Sequence, residues 1–210
     1  MSVKLVSWNV NGIRAVSKKD EFWDWFYNTD ADIINFQEIR ASSSDIPSKL
    51  NDVDGFHSHF NEADKKGYSG VGTFSKEKPV EVIKGLGNSK LDSEGRVLRL
   101  KYPNFTLFNI YFPNSGMNAK RLDFKVEFCN TLLDLLLDLK NQGENLVITG
   151  DYNIAHHPID VYNPKNCEGK SGYLPEERAW LDEMEKAGFV DTFRMFDEGE
   201  NRRPDRKSVV

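Results

Sequence analysis

Polar side chains follow four strand-like runs of the sequence, each at the point where the run ends. They are Asn9 and Asn11, Gln37 and Glu38, Tyr111 and Asn114, and Asp151 and Asn153. Each pair comes after apolar residues and before a loop, and enzymes built on sheets place their reacting groups at such strand ends. We therefore expect these side chains to meet at one rim of the fold.

The types of these residues suit one reaction. Mg²⁺ prefers carboxylate and water oxygens and takes only one or two carboxylates from a protein. Glu38 and Asp151 can supply a metal ligand and a carboxylate beside an attacking water. Asparagine amides hold a phosphate oxygen without adding negative charge, and the hydroxyl of Tyr111 can donate to the phosphate. The set predicts phosphodiester hydrolysis by metal-assisted, in-line attack.

A simpler interpretation applies to each of these residues taken singly. The pairs Asn11-Gly12, Pro113-Asn114 and Gly150-Asp151 are each typical of a turn, or of a strand that passes into a loop. Only the repetition of the pattern at four strand ends favours a catalytic site over ordinary turn chemistry.

The elements that position these residues follow from hydrophobic periodicity. Runs rich in β-branched and aromatic residues predict strands, and apolar residues at helical spacing predict helices. The predicted strands are residues 3–9, 32–38, 96–101, 106–112 and 145–149, and the predicted helices are residues 21–27, 122–140 and 175–187. Strands that come both as a hairpin and separated by helices indicate an α/β domain with a mixed sheet. We assign residues 1–197 to this domain and expect the polar stretch 198–210 to be a disordered tail.

Composition excludes several classes of protein. With 39% hydrophobic and 29% charged residues, the 210-residue chain is globular in composition, and no apolar run approaches the ~20 residues that cross a bilayer. Two cysteines and an N-terminus without a leader pattern indicate an intracellular protein, cytoplasmic or, in a eukaryote, nuclear. A net charge of −5 disfavours binding of nucleic acid by phosphate neutralisation alone. The four histidines and two cysteines lack the spacing of a zinc motif.

Nine motifs occur in a fixed order along the chain. They are SWNVNGIRA (7–15), QE (37–38), GYSGV (67–71), EGR (94–96), NIYFPN (109–114), GDYNIAH (150–156), ID (159–160), GYLPEER (172–178) and DTFR (191–194). Each motif alone is weak, but the ordered set closely resembles the exonuclease III family of apurinic/apyrimidinic (AP) DNA endonucleases. The resemblance extends from residue 3 to about residue 196.

The resemblance implies a fold and an activity. The fold is a four-layer α/β sandwich, in which two mixed sheets pack face to face with helices outside, as in endonuclease/exonuclease/phosphatase-like proteins. The activity is hydrolysis of double-stranded DNA 5′ to an abasic site, with Mg²⁺ or Mn²⁺ as cofactor. Family members often add 3′-to-5′ exonuclease and 3′-phosphodiesterase activity on 3′-blocked ends. The expected partner is damaged DNA, with no membrane, and the expected protein is a monomer.

The matching motifs imply a role for each candidate residue. Glu38 matches the metal-binding glutamate, and Asn11 lies in the same site, where many family members carry Asp. Asp151 matches the aspartate that positions or deprotonates the attacking water, and Tyr111 matches the tyrosine near the scissile phosphate. The remaining candidates are Asn153 beside Asp151, and Asn9, Asn114, Arg96 and Met117 as substrate contacts, Met117 as an apolar wedge at the lesion.

The sequence departs from the family after Phe196. Family members continue into segments that resemble Tyr-Thr-Trp-Trp and Trp-Arg-x-Asp-Tyr and finish with Ser-Asp-His, whereas this chain continues into the polar stretch 198–210. We therefore expect a C-terminally truncated chain without the last strands of the second sheet. Without the Asp-His pair that stabilises the phosphate, its activity is expected to be weakened or lost.

Two alternatives to a working repair nuclease follow from that departure. One is a catalytically impaired remnant that binds the duplex backbone through basic residues. The candidates for such contacts are Lys65, Lys66, Lys120, Arg121 and Lys125. The other is a phosphoesterase of the same fold that acts on a different phosphodiester. A remnant would keep salt-sensitive affinity for abasic duplex while making no product.

Overall fold

The computed structural model describes residues 2–197, so the predicted tail at 198–210 lies outside the described residues. The described chain divides into two units. One is made of residues 2–111 and 145–151, and the other of residues 112–144 and 152–197. Both sheets belong to the first unit, and the two longest described helices belong to the second.

The described part of the first unit contains eight strands and four helices. The strands are β1 (Leu5–Asn9), β2 (Ile33–Gln37), β3 (His57–Asn61), β4 (Val71–Ser75), β5 (Glu81–Lys84), β6 (Val97–Lys101), β7 (Thr106–Tyr111) and β8 (Leu146–Asp151). The helices are α1 (Ile13–Val16), α2 (Asp20–Asn28), α3 (Ser48–Asn51) and α4 (Ser89–Asp92).

Both sheets are mixed. One has the strand order β1-β2-β4-β3 and the other β5-β6-β7-β8. In the first sheet β1 runs parallel to β2 with Asn9 opposite Gln37, and in the second β7 runs parallel to β8 with Tyr111 opposite Asp151. The other pairs are antiparallel. Because parallel neighbours end at the same edge of a sheet, each sheet brings two predicted site positions to one edge.

Helix α2 covers the outer face of the first sheet. Along β2, the alternate residues Ile34 and Phe36 are fully buried in the cluster that α2 completes. The ring of Phe22 on α2 lies 5.8 Å from the ring of Phe36, and the ring of Phe26 lies 5.3 Å from the ring of Phe74 on β4. Burying each such ring stabilises the fold by about 1.5–3 kcal/mol.

The inner face of β2 meets the second sheet and carries two polar residues beside the apolar Ile33. Asn35 donates from Nδ2 to Thr149 Oγ1 over 2.8 Å, and Gln37 donates from Nε2 to Asn109 Oδ1 over 2.7 Å. Asn109 in turn donates from Nδ2 to the carbonyl of Gly72 over 2.9 Å. Buried polar groups are stable only when they are hydrogen-bonded, so these directional bonds fix the position of one sheet against the other.

The second unit is built around two packed helices. Its described helices are α5 (Leu122–Asn141), α6 (Pro164–Cys167) and α7 (Pro175–Lys186), with 3₁₀ turns at Met117–Ala119 and Pro158–Asp160. Trp180 on α7 donates from Nε1 to the carbonyl of Cys129 on α5 over 2.8 Å. The ring of Phe112 stacks on Tyr152 with 4.4 Å between centroids. None of the described helices has the length and apolar character needed to span a bilayer.

The predicted elements are confirmed, with their ends shifted by at most two residues. Strands β3 and β5 were not predicted, because β3 carries two histidines and β5 is only four residues long. Strand β4 was not among the predicted strands either. Its Gly72 weakens the strand pattern, yet a Cβ there would lie 2.8 Å from the ring of Phe60 on β3, so the glycine makes room for that ring.

Asn109→Ala tests the polar contact between the sheets. The substitution removes an amide that accepts from Gln37 and donates to a buried carbonyl, so we expect the free energy of unfolding to fall by about 2–3 kcal/mol. The measurement is equilibrium unfolding in urea. Asn104→Ala, at an exposed position in the β6–β7 hairpin, is the matched control and should change stability by less than about 0.5 kcal/mol. Equal effects of the two variants would show that the polar contact does not hold the sheets.

Candidate active site

The side-chain amide of Asn9 joins the two acidic residues predicted from the sequence. Its Nδ2 donates to Glu38 Oε2 over 3.0 Å and to Asp151 Oδ2 over 2.6 Å. Its Oδ1 accepts from the backbone N–H of Asn11 over 2.9 Å. One amide therefore holds a carboxylate from each sheet at a single point, with both its N–H groups and its oxygen in use.

The strand ends explain why these residues meet. Asn9 is the last residue of β1, Glu38 directly follows β2, and Asp151 is the last residue of β8. Gly150 precedes Asp151 with φ of 142°, and a Cβ there would lie only 1.8 Å from the carbonyl oxygen of Ile110. Only glycine allows β8 to approach β7 this closely just before the carboxylate.

Glu38 is buried and held through both carboxylate oxygens. Oε2 accepts from Asn9, and Oε1 accepts from Arg40 Nε over 3.1 Å and from Arg40 Nη2. Glu38, Arg40 and Asn11 all have φ values near +50°. A left-handed backbone is unfavourable for residues other than glycine and is often found where a site demands it. The left-handed backbone at Glu38 directs its carboxylate toward Asn9.

Tyr111 lies opposite Asp151 in the register of β7 and β8. Burial raises the pKa of its phenol well above the ordinary value, and the carboxylates of Glu38 and Asp151 raise it further, partly through a hydrogen bond from the hydroxyl to Glu38. The nearby guanidinium of Arg96 acts in the opposite direction. The phenol is therefore protonated at neutral pH and acts as a hydrogen-bond donor.

Arg96 contacts both the backbone and the ring of Tyr111. Its side chain is only 2% exposed, and Nη1 donates to the carbonyl of Tyr111 over 2.9 Å. Nη2 donates to the hydroxyl of Tyr68 over 3.1 Å, and Nε donates to Glu94 Oε2 over 2.6 Å. The guanidinium also lies 4.8 Å from the centroid of the Tyr111 ring. These contacts position the tyrosine, while the predicted contact of Arg96 with substrate stays a prediction.

Two other predicted residues are exposed. The side chain of Asn11 is exposed, and its backbone N–H is the group that contacts Asn9, so its role as a metal ligand stays a prediction. Met117 is 80% exposed in the first 3₁₀ turn of the second unit. Its role as an apolar wedge at the lesion stays a prediction.

In the second unit, the structure brings Asn114 and Asn153 together. Asn114 Nδ2 donates to Asn153 Oδ1 over 3.4 Å, and Asn153 Nδ2 donates to the carbonyl of Phe112 over 2.9 Å. Asn114 Oδ1 accepts from Ser171 Oγ over 3.0 Å. Asn153 has φ of 50°, so its amide is held by a tight turn rather than by a regular strand.

Lys125 was predicted as a possible contact to the DNA backbone, and this prediction is wrong. Its side chain is only 1% exposed, and Nζ donates to Glu177 Oε1 over 2.9 Å and to the carbonyl of Asn153 over 2.7 Å. The periodicity of α5 already contained the signal, because Lys125 precedes the buried Phe128 by three residues and Leu132 by seven. Lys125 therefore fixes the turn that carries Asn153.

Sequence reasoning missed a cationic cavity in the first unit. The cavity has a volume of about 710 Å³. Its lining consists of Gly12, Arg14, Ala15, Ser17, Lys18, Arg40, Asp45, Pro47 and Gly67. Three of these side chains carry positive charge against one carboxylate, and Arg40 also contacts Glu38. The cavity therefore places an anion-attracting surface beside Glu38, which together with Asp151 forms what we call the acidic rim.

Comparison with known proteins identifies the family. The sequence profile described as the Endonuclease/Exonuclease/phosphatase family matches residues 6–205. The chain belongs to that family. It is 40% identical over 192 residues to an exodeoxyribonuclease of Bacillus subtilis (strain 168), covering 91% of this chain and 75% of that protein. It is 36% identical over 195 residues to the DNA repair nuclease APEX1 of Danio rerio, covering 92% of this chain and 62% of that protein.

A solved structure agrees with this membership. The AP endonuclease of Archaeoglobus fulgidus superposes with a TM-score of 0.79 at 26% identity, covering 92% of this chain and 74% of that one. The architecture is thus the α/β sandwich with two mixed sheets that the resemblance implied. These two relatives are named an exodeoxyribonuclease and a DNA repair nuclease, and the chain is a hydrolase of the nuclease type.

Tyr111→Phe tests the protonation of the buried phenol. Because the folded-state pKa of Tyr111 is raised, the unfolded chain loses this proton first once the pH passes the unfolded value of about 10. The phenol therefore stabilises the fold fully below about pH 10 and progressively less above it. Above about pH 10, the free energy of unfolding measured in urea should therefore fall less steeply with pH for Tyr111→Phe than for the natural chain.

The control for this experiment is Tyr162→Phe, because Tyr162 is 79% exposed. In Tyr162→Phe, the free energy of unfolding should fall with pH as steeply as in the natural chain. Identical alkaline slopes for all three proteins would contradict a raised pKa at Tyr111.

Proposed function

We propose that the chain hydrolyses double-stranded DNA 5′ to abasic sites in a Mg²⁺-dependent reaction. The main observation in support of this proposal is that the Asn9 amide holds Glu38 and Asp151 at one point. Relatives named as an exodeoxyribonuclease and a DNA repair nuclease support the choice of DNA as substrate. The same chemistry supports 3′-to-5′ exonuclease and 3′-phosphodiesterase activity on 3′-blocked ends, by a monomer inside the cell.

The donor set at the acidic rim fits a hard divalent cation. Its groups are oxygen donors, and Glu38 is held by Arg40, whose side chain is 46% exposed and can give way to a ligand. We assign Glu38 as the protein ligand of Mg²⁺, with Asn11 beside it, and Mn²⁺ accepts the same donors. When bound, the cation supplies positive charge against the phosphate and the leaving oxygen.

Asp151 is the group that acts on water. It is only 2% exposed, and Asn9 holds Oδ2 in a charge-assisted hydrogen bond, so its carboxylate keeps a fixed direction. A carboxylate in that position orients a water molecule and accepts its proton as attack on phosphorus proceeds. Asn9 does not titrate, so its capacity to donate these hydrogen bonds does not change with pH.

Tyr111 stabilises the charge that develops on the phosphate. Because its phenol is protonated, it can donate to a non-bridging oxygen without adding negative charge to the site. Arg96 holds the carbonyl and the ring of Tyr111 in place, which makes Arg96 a positioning residue in this proposal. In the second unit, the amides of Asn114 and Asn153 are our candidates for further substrate contacts.

The cationic cavity supports binding of the DNA backbone. Arg14, Lys18 and Arg40 place positive charge on the wall of an open depression, although the whole chain carries a net charge of −5. Local positive charge of this kind attracts phosphates and releases condensed counterions. We assign residues 1–197 to the domain that does this work.

Cleavage of a duplex with one synthetic abasic site tests the reaction. We expect Mg²⁺-dependent nicking that a chelator abolishes, and a loss of about 10²–10³-fold in rate for Glu38→Gln and for Asp151→Asn. Glu81→Gln and Asp54→Asn, at exposed positions, are the matched controls and should keep the rate. The absolute rate of nicking by the natural chain also tests the prediction that activity is weakened without the Asp-His pair of the family.

Three outcomes would count against this proposal. Binding of the duplex without cleavage would favour the DNA-binding remnant. Cleavage of another phosphodiester alone would favour a different phosphoesterase. An unchanged rate in Asp151→Asn would remove the proposed role of that carboxylate.

Lys18→Ala tests the cationic cavity separately from the chemistry. Removing one phosphate contact should weaken duplex binding and reduce the slope of log K against log salt by about 1. The measurement is fluorescence anisotropy at several salt concentrations in the presence of chelator. Lys84→Ala, at an exposed position at the end of β5, should leave the slope unchanged. Equal slopes in all three proteins would exclude the cavity as a phosphate-binding surface.

A further inference from the structure

A second group of potential ligands lies in the second unit. We call His156, His157, Asp182 and Glu185 the histidine cluster. The two histidines precede the 3₁₀ turn at Pro158–Asp160, and the two carboxylates lie three residues apart on α7, on neighbouring positions of one helix face. Ligand atoms of His156, His157 and Glu185 all lie within 4.8 Å of one another.

The two ring nitrogens of His156 face different carboxylates. Nε2 lies 2.7 Å from Asp182 Oδ1, and Nδ1 lies 3.6 Å from Glu185 Oε1. In the tautomer that protonates Nε2, this nitrogen donates to Asp182, and the lone pair of Nδ1 points toward Glu185 and is available to a cation. A metal-binding histidine typically donates its other N–H to a carboxylate in this way.

The backbone of both histidines is fixed. Arg178 Nε donates to the carbonyl of His156 over 2.8 Å, and the backbone N–H of His157 donates to Asp160 Oδ2 over 2.8 Å. Arg194 in turn holds Asp160 through Nε over 3.0 Å. The imidazole of His156 is only 9% exposed, so the central ligand of the cluster is already ordered.

The remaining ligands can close on a cation at low cost. Donor atoms around a tetrahedral Zn²⁺ lie about 3.3 Å apart at bond lengths of ~2.0–2.1 Å, so the present spacing must shrink by about 1.5 Å at most. The side chain of Glu185 is 51% exposed and His157 is exposed. Both can therefore rotate, His157 away from its present stacking on His156 at 3.7 Å between centroids.

We propose that His156, His157 and Glu185 bind a borderline divalent transition metal such as Zn²⁺, with Asp182 orienting His156. Imidazole nitrogens select Zn²⁺ over Mg²⁺, which prefers oxygen donors. Two neutral imidazoles and two carboxylates balance the charge of the cation. Three protein ligands leave the fourth tetrahedral position to water or to an external ligand.

The site would tie α7 to the segment that carries Asn153. His156 follows Asn153 by three residues, and Glu185 lies near the end of α7. A cation held by both would add a cross-link within the second unit and stabilise it in proportion to the metal concentration. This site differs in donor chemistry from the oxygen donors at Glu38 and Asp151.

Titration of the full chain with Zn²⁺ alone tests the site. In excess Mg²⁺, which occupies the site at Glu38, we expect one equivalent of Zn²⁺ to bind in calorimetry and to raise the thermal unfolding midpoint. Co²⁺ in place of Zn²⁺ should give the visible absorption of a four-coordinate site. His157→Ala and Glu185→Gln remove exposed ligands and should each weaken Zn²⁺ binding tenfold or more, and Asp182→Asn should weaken it by about 10–100-fold.

The controls separate this site from other places where Zn²⁺ can bind. Glu183→Gln on the same helix, where Glu183 pairs with Lys186, and His57→Ala at an exposed strand position should keep the affinity of the natural chain. Glu38→Gln should also keep it. Absence of one-equivalent binding, or binding that survives in both His157→Ala and Glu185→Gln, would overturn the proposal. So would binding that is lost in Glu38→Gln.

Discussion

The geometry of the acidic rim depends on one neutral amide. Two carboxylates held against the same amide nitrogen repel each other when both are ionised, so they do not approach unaided. The amide of Asn9 offsets this repulsion by donating one N–H to Glu38 and one to Asp151. Its oxygen is tied to the backbone of Asn11, which prevents the amide from flipping. A charged donor would bind both carboxylates more tightly, but it would also compete with a cation for them.

That amide is useful only because the two sheets hold a fixed register. Asn9 and Glu38 come from one sheet and Asp151 from the other, so a small slide between the sheets would separate the donor from one acceptor. Apolar packing alone tolerates such slides, whereas hydrogen bonds lose strength quickly with distance and angle. The buried bonds of Asn35 and Gln37 across the sheets therefore contribute precision to the rim as well as stability to the core.

Much of the first unit could be predicted from the sequence, because its site residues end strongly apolar strands. The pattern located Glu38 and Asp151, parallel pairing placed each at the edge of its own sheet, and the packing of the two sheets brought them to the Asn9 amide. It failed where a side chain plays a role unlike its type. Lys125 was assigned to the surface because it is charged, although its spacing on α5 places it on the buried face. The histidine cluster escaped prediction because its ligands come from a loop and a helix 28 residues apart.

The buried Lys125–Glu177 pair shows how the second unit fixes a strained turn. Removing two charges from water is costly, and such a pair adds little net stability compared with apolar residues of similar size. The pair matters because both of its members make directional hydrogen bonds to the backbone. Lys125 Nζ donates to the carbonyl of Asn153, and Glu177 Oε2 accepts from the backbone N–H of Leu174. An apolar pair could fill the same volume but could not hold a carbonyl in a left-handed turn. The pair therefore contributes specificity of backbone conformation, which the amides of Asn114 and Asn153 require in order to meet.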